Sequence, residues 1–159
     1  MTSDIGILDD RHDLTKFVSG ATELDQWLSG SARQSDSRDT ARVHVICDTG
    51  GVVVAYSALV AGTITRETLR SRAASGLPGQ VPGILLAKLA VDQSHSGSGL
   101  GTALLSHAVR TALQVRQSIG IRLLFAHARD ELARDWYVAK GMDCARDGRT
   151  CYARLKDLL

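Results

Sequence analysis

Ser96-Gly97-Ser98-Gly99-Leu100-Gly101-Thr102, preceded by Leu89-Ala90-Val91-Asp92, carries the clearest chemical signal in this chain. Three glycines let the backbone turn tightly with its N–H groups facing inward, and a helix opening at Gly99 or Gly101 adds its positive end to those donors. An anion, above all a phosphate, belongs in such a cradle. The spacing fits neither the G-x-G-x-x-G of a dinucleotide fold nor a phosphate loop ending in Gly-Lys-Ser/Thr, because Thr102-Ala103-Leu104-Leu105 follows. A surface hinge before a helix is the competing reading.

Other reactive side chains are sparser. His95, just before the turn, and His127, at a strand end, have the chemistry of a general base, but a structural histidine is commoner and neither is assigned. Cys47, Cys144 and Cys151 lack C-x-x-C spacing and a nearby histidine pair, so no metal site is expected. If Asp147-Gly148 is a two-residue hairpin turn, counting outward pairs Arg146 with Arg149, Ala145 with Thr150 and Cys144 with Cys151. That count puts the cysteines at a hydrogen-bonded rung, with α-carbons about 5.5 Å apart. In a reducing cytosol free thiols are expected.

The elements that must position these residues alternate between helix and strand. Thr22 and Asp25 resemble a capping box, and Leu24, Trp27, Leu28 and Ala32 continue as one amphipathic helix. Arg42 to Cys47 and Val52 to Ala61 read as antiparallel strands joined by Asp48-Thr49-Gly50-Gly51. Thr65 to Gly76 reads as loop with some helix, and Val81 to Val91 as a long buried strand. After the glycine turn, Leu100, Leu104, Leu105, Ala108, Ala112, Leu113 and Ile119 line one side of a helix. At 159 residues and 44% hydrophobic, residues 1–159 suit one domain. Asp4, Asp9 and Asp10 argue against a secretory signal. The longest apolar stretch, Gly83 to Val91, is interrupted by Lys88 and falls short of the ~20 residues of a membrane helix. No membrane association and a cytoplasmic location are expected.

Downstream, Ile121-Arg122-Leu123-Leu124-Phe125-Ala126 reads as a strand and Asp135-Trp136-Tyr137-Val138-Ala139-Lys140-Gly141-Met142 as a short helix. Together with the glycine turn these resemble the GNAT acetyltransferases. The resemblance implies an α/β (α+β) fold, a central mixed and mostly antiparallel sheet flanked by helices. It implies that Ser96, Gly97, Ser98, Gly99, Gly101 and Thr102 hold the pyrophosphate of acetyl-CoA. Leu89, Ala90 and Val91 would pair with the pantetheine arm, and Tyr137, opening a Tyr-x-x-x-Gly ending, would meet the thiol. Phe17-Val18-Ser19-Gly20, Leu24-Asp25-Gln26-Trp27-Leu28, Ala32-Arg33-Gln34 and Lys88-Leu89-Ala90-Val91-Asp92 are similar to the TacT-type GNAT toxins. Those toxins acetylate the amino group of aminoacyl-tRNA and are partnered with ribbon-helix-helix antitoxins; a homodimer is also implied. The likeness runs from about Asp13 to Leu158. Two departures stand out: Ser96 replaces a usual Gln or Arg, and Lys88 replaces an Arg, keeping the charge without the planar fork.

Between Thr68 and Arg129 seven bases face one acid, Asp92, so this stretch is net +6 while the rest is −4. The phosphates of CoA account for some of that charge. RNA phosphates are a second reason, with Arg70, Arg72 and Lys88 as candidate tRNA contacts, against the plainer reading of solvated surface arginines. Arg33, Arg38 and Arg42 are placed where RNA or an acidic antitoxin could meet them, with surface exposure the simpler reading. Phe17 and Trp27 are read as core aromatics rather than nucleotide platforms.

Amide formation from a thioester leaves a thiolate and a proton to place. A phenol with an ordinary pKa near 10 suits the acid role at a thiol of ~8.5, which points to Tyr137, against its reading as a core aromatic beside Trp136. A backbone N–H near Ala90 to Asp92 is the expected oxyanion donor. Three functions follow in order: acetyl transfer to the α-amine of aminoacyl-tRNA, acetyl transfer to a small-molecule or protein amine, and a non-catalytic CoA-binding or antitoxin-binding module.

Overall fold

The Asp48 carboxylate accepts the N–H groups of Gly50 (2.8 Å) and Val52 (3.0 Å), and this local bonding reverses the chain. In the computed structural model, which describes residues 1–158, the turn joins β2 (Arg42–Cys47) to β3 (Val53–Thr65) as an antiparallel pair. Before them come β1 (Gly6–Ile7), α1 (Thr22–Gly30) and α2 (Ala32–Ser37). After them follow α3 (Ser71–Ala74), β4 (Gln80–Val91), α4 (Leu100–Arg116), β5 (Leu123–His127), α5 (Glu131–Ala139), β6 (Asp143–Cys144) and β7 (Thr150–Arg154). The sheet order is β1-β2-β3-β4-β5-β7-β6. β4 and β5 are parallel while β1 with β2, β5 with β7 and β6 with β7 are antiparallel, the mixed sheet that the resemblance implies.

The chain forms two compact units, Met1–Val60 with Ala87–Ser106 and Ala61–Leu86 with His107–Leu159. In the first, β2 and β3 are buried on both faces. Val43, Val45, Tyr56 and Ala58 pack with Phe17, Leu28 and Ala32, whereas Ile46, Val54 and Ala55 pack with Leu104. Helices on both sides explain why these strands carry apolar residues continuously instead of alternating with polar ones. Burying a Leu or Phe side chain of this kind contributes roughly 1.5–3 kcal/mol. In the second unit Ile64, Leu69, Val81, Leu123, Phe125 and Tyr152 form the core. Gly83 is required there: a Cβ on it would stand 2.6 Å from the Leu123 carbonyl oxygen.

Several expectations change. The helix over Thr22 to Ala32 is two helices, broken at Ser31 (φ −127°, ψ −23°), and the capping box does not form. Ala21 is the N-cap, and Asp25 instead accepts the N–H and hydroxyl of Ser19. α4 ends at Arg116, leaving Ile119 61% exposed rather than on the buried side. Cys144 does pair with Cys151, but the Asp147 carboxylate takes the N–H groups of Arg149 (2.9 Å) and Thr150 (2.8 Å) and opens the turn into a four-residue loop. Ala145 N–H then donates to the Thr150 carbonyl at 2.8 Å, so the register stands but the hydrogen-bonded rung moves to Ala145 and Thr150. The cysteines therefore occupy a non-hydrogen-bonded rung, where side chains stand closer.

Candidate functional site

β4 delivers the glycine turn. Leu89 and Val91 pack toward Leu104 and Leu100, and Ala90 toward the opposite cluster, so the strand is anchored on both faces. β4 pairs with β5 over Gly83–Leu85, and Leu89–Val91 lie beyond that register. At its end the Asp92 N–H donates to the Val54 carbonyl at 2.8 Å, which removes it from the expected oxyanion donors. The Asp92 carboxylate accepts the Val18 N–H at 2.8 Å and both the N–H and hydroxyl of Ser94. Burial would raise its pKa, but the Ser94 hydroxyl, the Val18 and Ser94 amides and His95 together hold it below the ordinary value.

The turn itself is built by Asp92, His95 and two glycines. His95 N–H donates to the Asp92 carbonyl (2.9 Å), and the Ser98 N–H and hydroxyl both donate to the His95 carbonyl. Gly97 and Gly99 sit at φ +77° and +86°, and a Cβ on either would meet nothing within 4 Å. The helix opens at Leu100, between the two expected starts, so Gly101 and Thr102 lie in the first turn of α4. The first N–H groups of a helix have no partner one turn back, and Gly97 and Gly99 leave open space ahead of this 17-residue helix where side chains would stand. Ser96 is exposed. A glycine turn opening a helix can hold an anion on backbone N–H groups.

In the same unit Lys88 lies over the Trp27 ring at 5.5 Å, Trp27 stacks on Tyr56 at 6.0 Å and 10°, and Phe17 meets Tyr56 edge-on. The Tyr56 hydroxyl donates to the Leu24 carbonyl at 2.7 Å. Phe17 is buried and Trp27 partly so, in agreement with a core role. Arg33 and Arg42 are structural: Arg33 donates to the Asp9 and His12 carbonyls, and Arg42 pairs with Asp36 (2.8 Å) and Asp39 (2.6 Å).

The second unit holds Tyr137, Arg70 and Arg72. The Asp130 carboxylate caps α5 by accepting Ala133 N–H at 2.8 Å, and the helix carries Tyr137 to 7% exposure, edge-on to Trp136 at 5.2 Å. Burial, with Cys151 adding to it, pushes the Tyr137 phenol well above its ordinary pKa. Arg70 and Arg72 line one cavity of about 470 Å³ together with Asp143, Cys144, Tyr152 and Arg154. Arg70 Nε donates to the Cys144 carbonyl at 3.0 Å, and Arg146 reciprocates by donating to the Leu69 carbonyl and Ser71 hydroxyl. Arg154 is held by Asp157 at 2.7 Å. It lies two residues beyond Tyr152 on β7 and so shares that face, a placement that strand alternation alone could have signalled. His95 and His127 are engaged with Ser94 (3.0 Å) and Thr150 (3.1 Å). Among the described residues no group of three or more His, Cys, Asp or Glu could hold a metal ion, and no helix is long and apolar enough to cross a membrane.

Residues 12–142 match the sequence model of the Acetyltransferase (GNAT) family. The chain is similar to a tRNA-acetylating toxin of Mycobacterium tuberculosis (strain ATCC 25618 / H37Rv), 37% identical over 131 residues, 82% of this chain and 78% of that protein. Among solved structures it resembles AtaT complexed with acetyl-methionyl-tRNAfMet, with a TM-score of 0.91, 24% identity and coverage of 99% and 97% of the two chains. It also resembles AtaTR bound with AcCoA, with a TM-score of 0.84, 25% identity and coverage of 99% and 95%.

Proposed function

Because the chain belongs to the GNAT acetyltransferase family, we propose that it moves the acetyl group of acetyl-CoA to the α-amino group of aminoacyl-tRNA and so blocks translation. The observation that carries this reading is the open glycine cradle at the start of α4, in a chain 37% identical to a tRNA-acetylating toxin. Backbone donors of Gly97, Gly99, Gly101 and Thr102, with Ser96 and Ser98, hold the pyrophosphate, and the backbone of Leu89, Ala90 and Val91 takes the pantetheine arm.

The acceptor amine attacks the thioester carbonyl in its neutral form. With a reference pKa near 7.7 to 8.0, lowered further by the ester to tRNA, a useful fraction is neutral without a strong base. The leaving thiolate needs a proton, and Tyr137, held protonated by its burial, supplies it. Arg70, Arg72 and Lys88 contact RNA phosphates. A blocked α-amine cannot form the next peptide bond, so the activity is toxic and calls for an antitoxin, of the ribbon-helix-helix type by resemblance. A homodimer and a cytoplasmic location complete the reading.

The deciding experiment gives purified protein labelled acetyl-CoA and total charged tRNA, then maps the label. Label on the α-amine of the aminoacyl group is expected. Label confined to protein or small-molecule amines overturns the tRNA assignment.

A further inference from the structure

We propose that Cys144 and Cys151 are an oxidation site, which a peroxide closes into an intramolecular disulfide next to Tyr137. The two residues are direct partners in the β6–β7 ladder, so their side chains leave the same face. Because the neighbouring rung, Ala145 with Thr150, carries the hydrogen bond, the cysteines sit at a non-bonded rung with α-carbons about 4.5 Å apart. That lies within the roughly 4.4–6.8 Å that a disulfide spans. Both thiols are free. Cys47 has no such partner, since the residue opposite it is Val53.

Accessibility orders the two steps. Cys144 is half-buried, while its partner Cys151 is fully buried at 0% exposure. Hydrogen peroxide, small and uncharged, reaches Cys144 first. Its thiolate attacks one peroxide oxygen, the O–O bond breaks, and the departing hydroxide takes a proton to become water, leaving a sulfenic acid. The Cys151 sulfur then attacks the Cys144 sulfur, the S–S bond forms, the S–O bond breaks, and the Cys151 proton leaves with the hydroxyl as a second water. Two thiols lose two electrons in all, and one peroxide becomes two waters. Burial pushes the Cys151 thiol up to about 11, with Cys144 and Asp147 adding to it against Arg134, so Cys144, the less buried of the pair, meets the peroxide and Cys151 resolves the sulfenic acid.

The disulfide reaches the acid. Cys151 is close enough to Tyr137 to add to the effect of burial on its phenol, and Met142, two residues before Cys144, donates its N–H to the Tyr137 carbonyl at 3.2 Å. Drawing Cys144 toward Cys151 shifts the segment that supports Tyr137. This effect on turnover rests on the role proposed for Tyr137, whereas the disulfide itself does not.

The test treats the full chain with hydrogen peroxide and follows intact mass, a non-reducing digest and acetyl transfer. Expected are loss of two hydrogens, one peptide linking Cys144 to Cys151, and turnover that falls in step with the linked fraction and returns with dithiothreitol. Cys144→Ser, at the half-buried position, keeps its mass under the same treatment. Oxygen adducts on Cys144 without linkage, or linkage only between two chains, overturn the site. A linked peptide with unchanged turnover overturns its coupling to Tyr137.

Discussion

The Lys88 ammonium stands 5.5 Å from the centre of the Trp27 ring, whose other neighbour is Tyr56, stacked at 6.0 Å. A lysine in place of the family's usual arginine therefore keeps a cation on an aromatic face, half-buried on β4. Lys88→Met removes the charge and keeps the length. Stability in urea should fall by about 0.5–1 kcal/mol, the range of such an interaction, while Lys88→Arg should retain it. Identical midpoints for wild type and Lys88→Met would show that the ring contributes nothing.

Gly99→Val should abolish acetyl-CoA binding with the fold intact. A β-branched residue at φ +86° is strained, and its side chain enters the open space above the turn, although no protein atom lies within 4 Å of its Cβ. Isothermal calorimetry on a variant with a native circular dichroism spectrum measures this. Unchanged affinity would remove the pyrophosphate from this turn.

What the sequence makes legible is what is local. The glycine turn, the Asp48 turn and the β2 run each depend on neighbours within a few residues and appear where spacing puts them, whereas β3 runs on past Ala61 to Thr65. The break at Ser31 stays hidden because Leu28 and Ala32 are both at 0% exposure, so the apolar period continues across it. The hairpin phase is hidden for a different reason: Asp147 spends its carboxylate on two amides and lengthens the loop, a choice that the Asp-Gly pair does not announce. Arg154 beside Arg70 and Arg72, and Trp27 under Lys88, arise from strand register and helix packing between distant segments.

Acetylation of charged tRNA should fall more steeply with salt than acetyl-CoA binding does. Every phosphate that a protein cation neutralises adds about 0.7–0.9 to the logarithmic salt slope, so Arg72→Ala, which removes a cavity guanidinium, should flatten the tRNA slope by nearly one. Filter binding across a salt series reads it. A slope identical to wild type would take Arg72 off the RNA.

Asp92 makes stability depend on acid pH. Its carboxyl lies below 3.8 in the folded state, so its contribution is complete above 3.8 and is lost as pH falls through the lowered folded value. Asp92→Asn cannot titrate and loses an acceptor for Ser94. Thermal melts should show wild type more stable at neutral pH, with the gap narrowing below about 3.8. A gap independent of pH would mean that the charge of Asp92 does not stabilise the turn.

Tyr137→Phe isolates one hydroxyl. The ring that meets Trp136 edge-on is preserved, so fold and acetyl-CoA affinity should persist while kcat falls by roughly 10²- to 10⁴-fold, the range of positioned acid catalysis. The pH profile adds a second, independent readout. Because burial and Cys151 raise the phenol pKa above 10.0, Tyr137 remains protonated through the alkaline range. The wild-type rate should rise as the acceptor amine loses its proton below about pH 8 and then stay level up to about pH 10, with no descending limb from the acid. A wild-type rate in Tyr137→Phe would make Tyr137 a packing residue; a descending limb below pH 10 that disappears in Tyr137→Phe would mean that its phenol titrates normally and that burial does not protect the proton it donates.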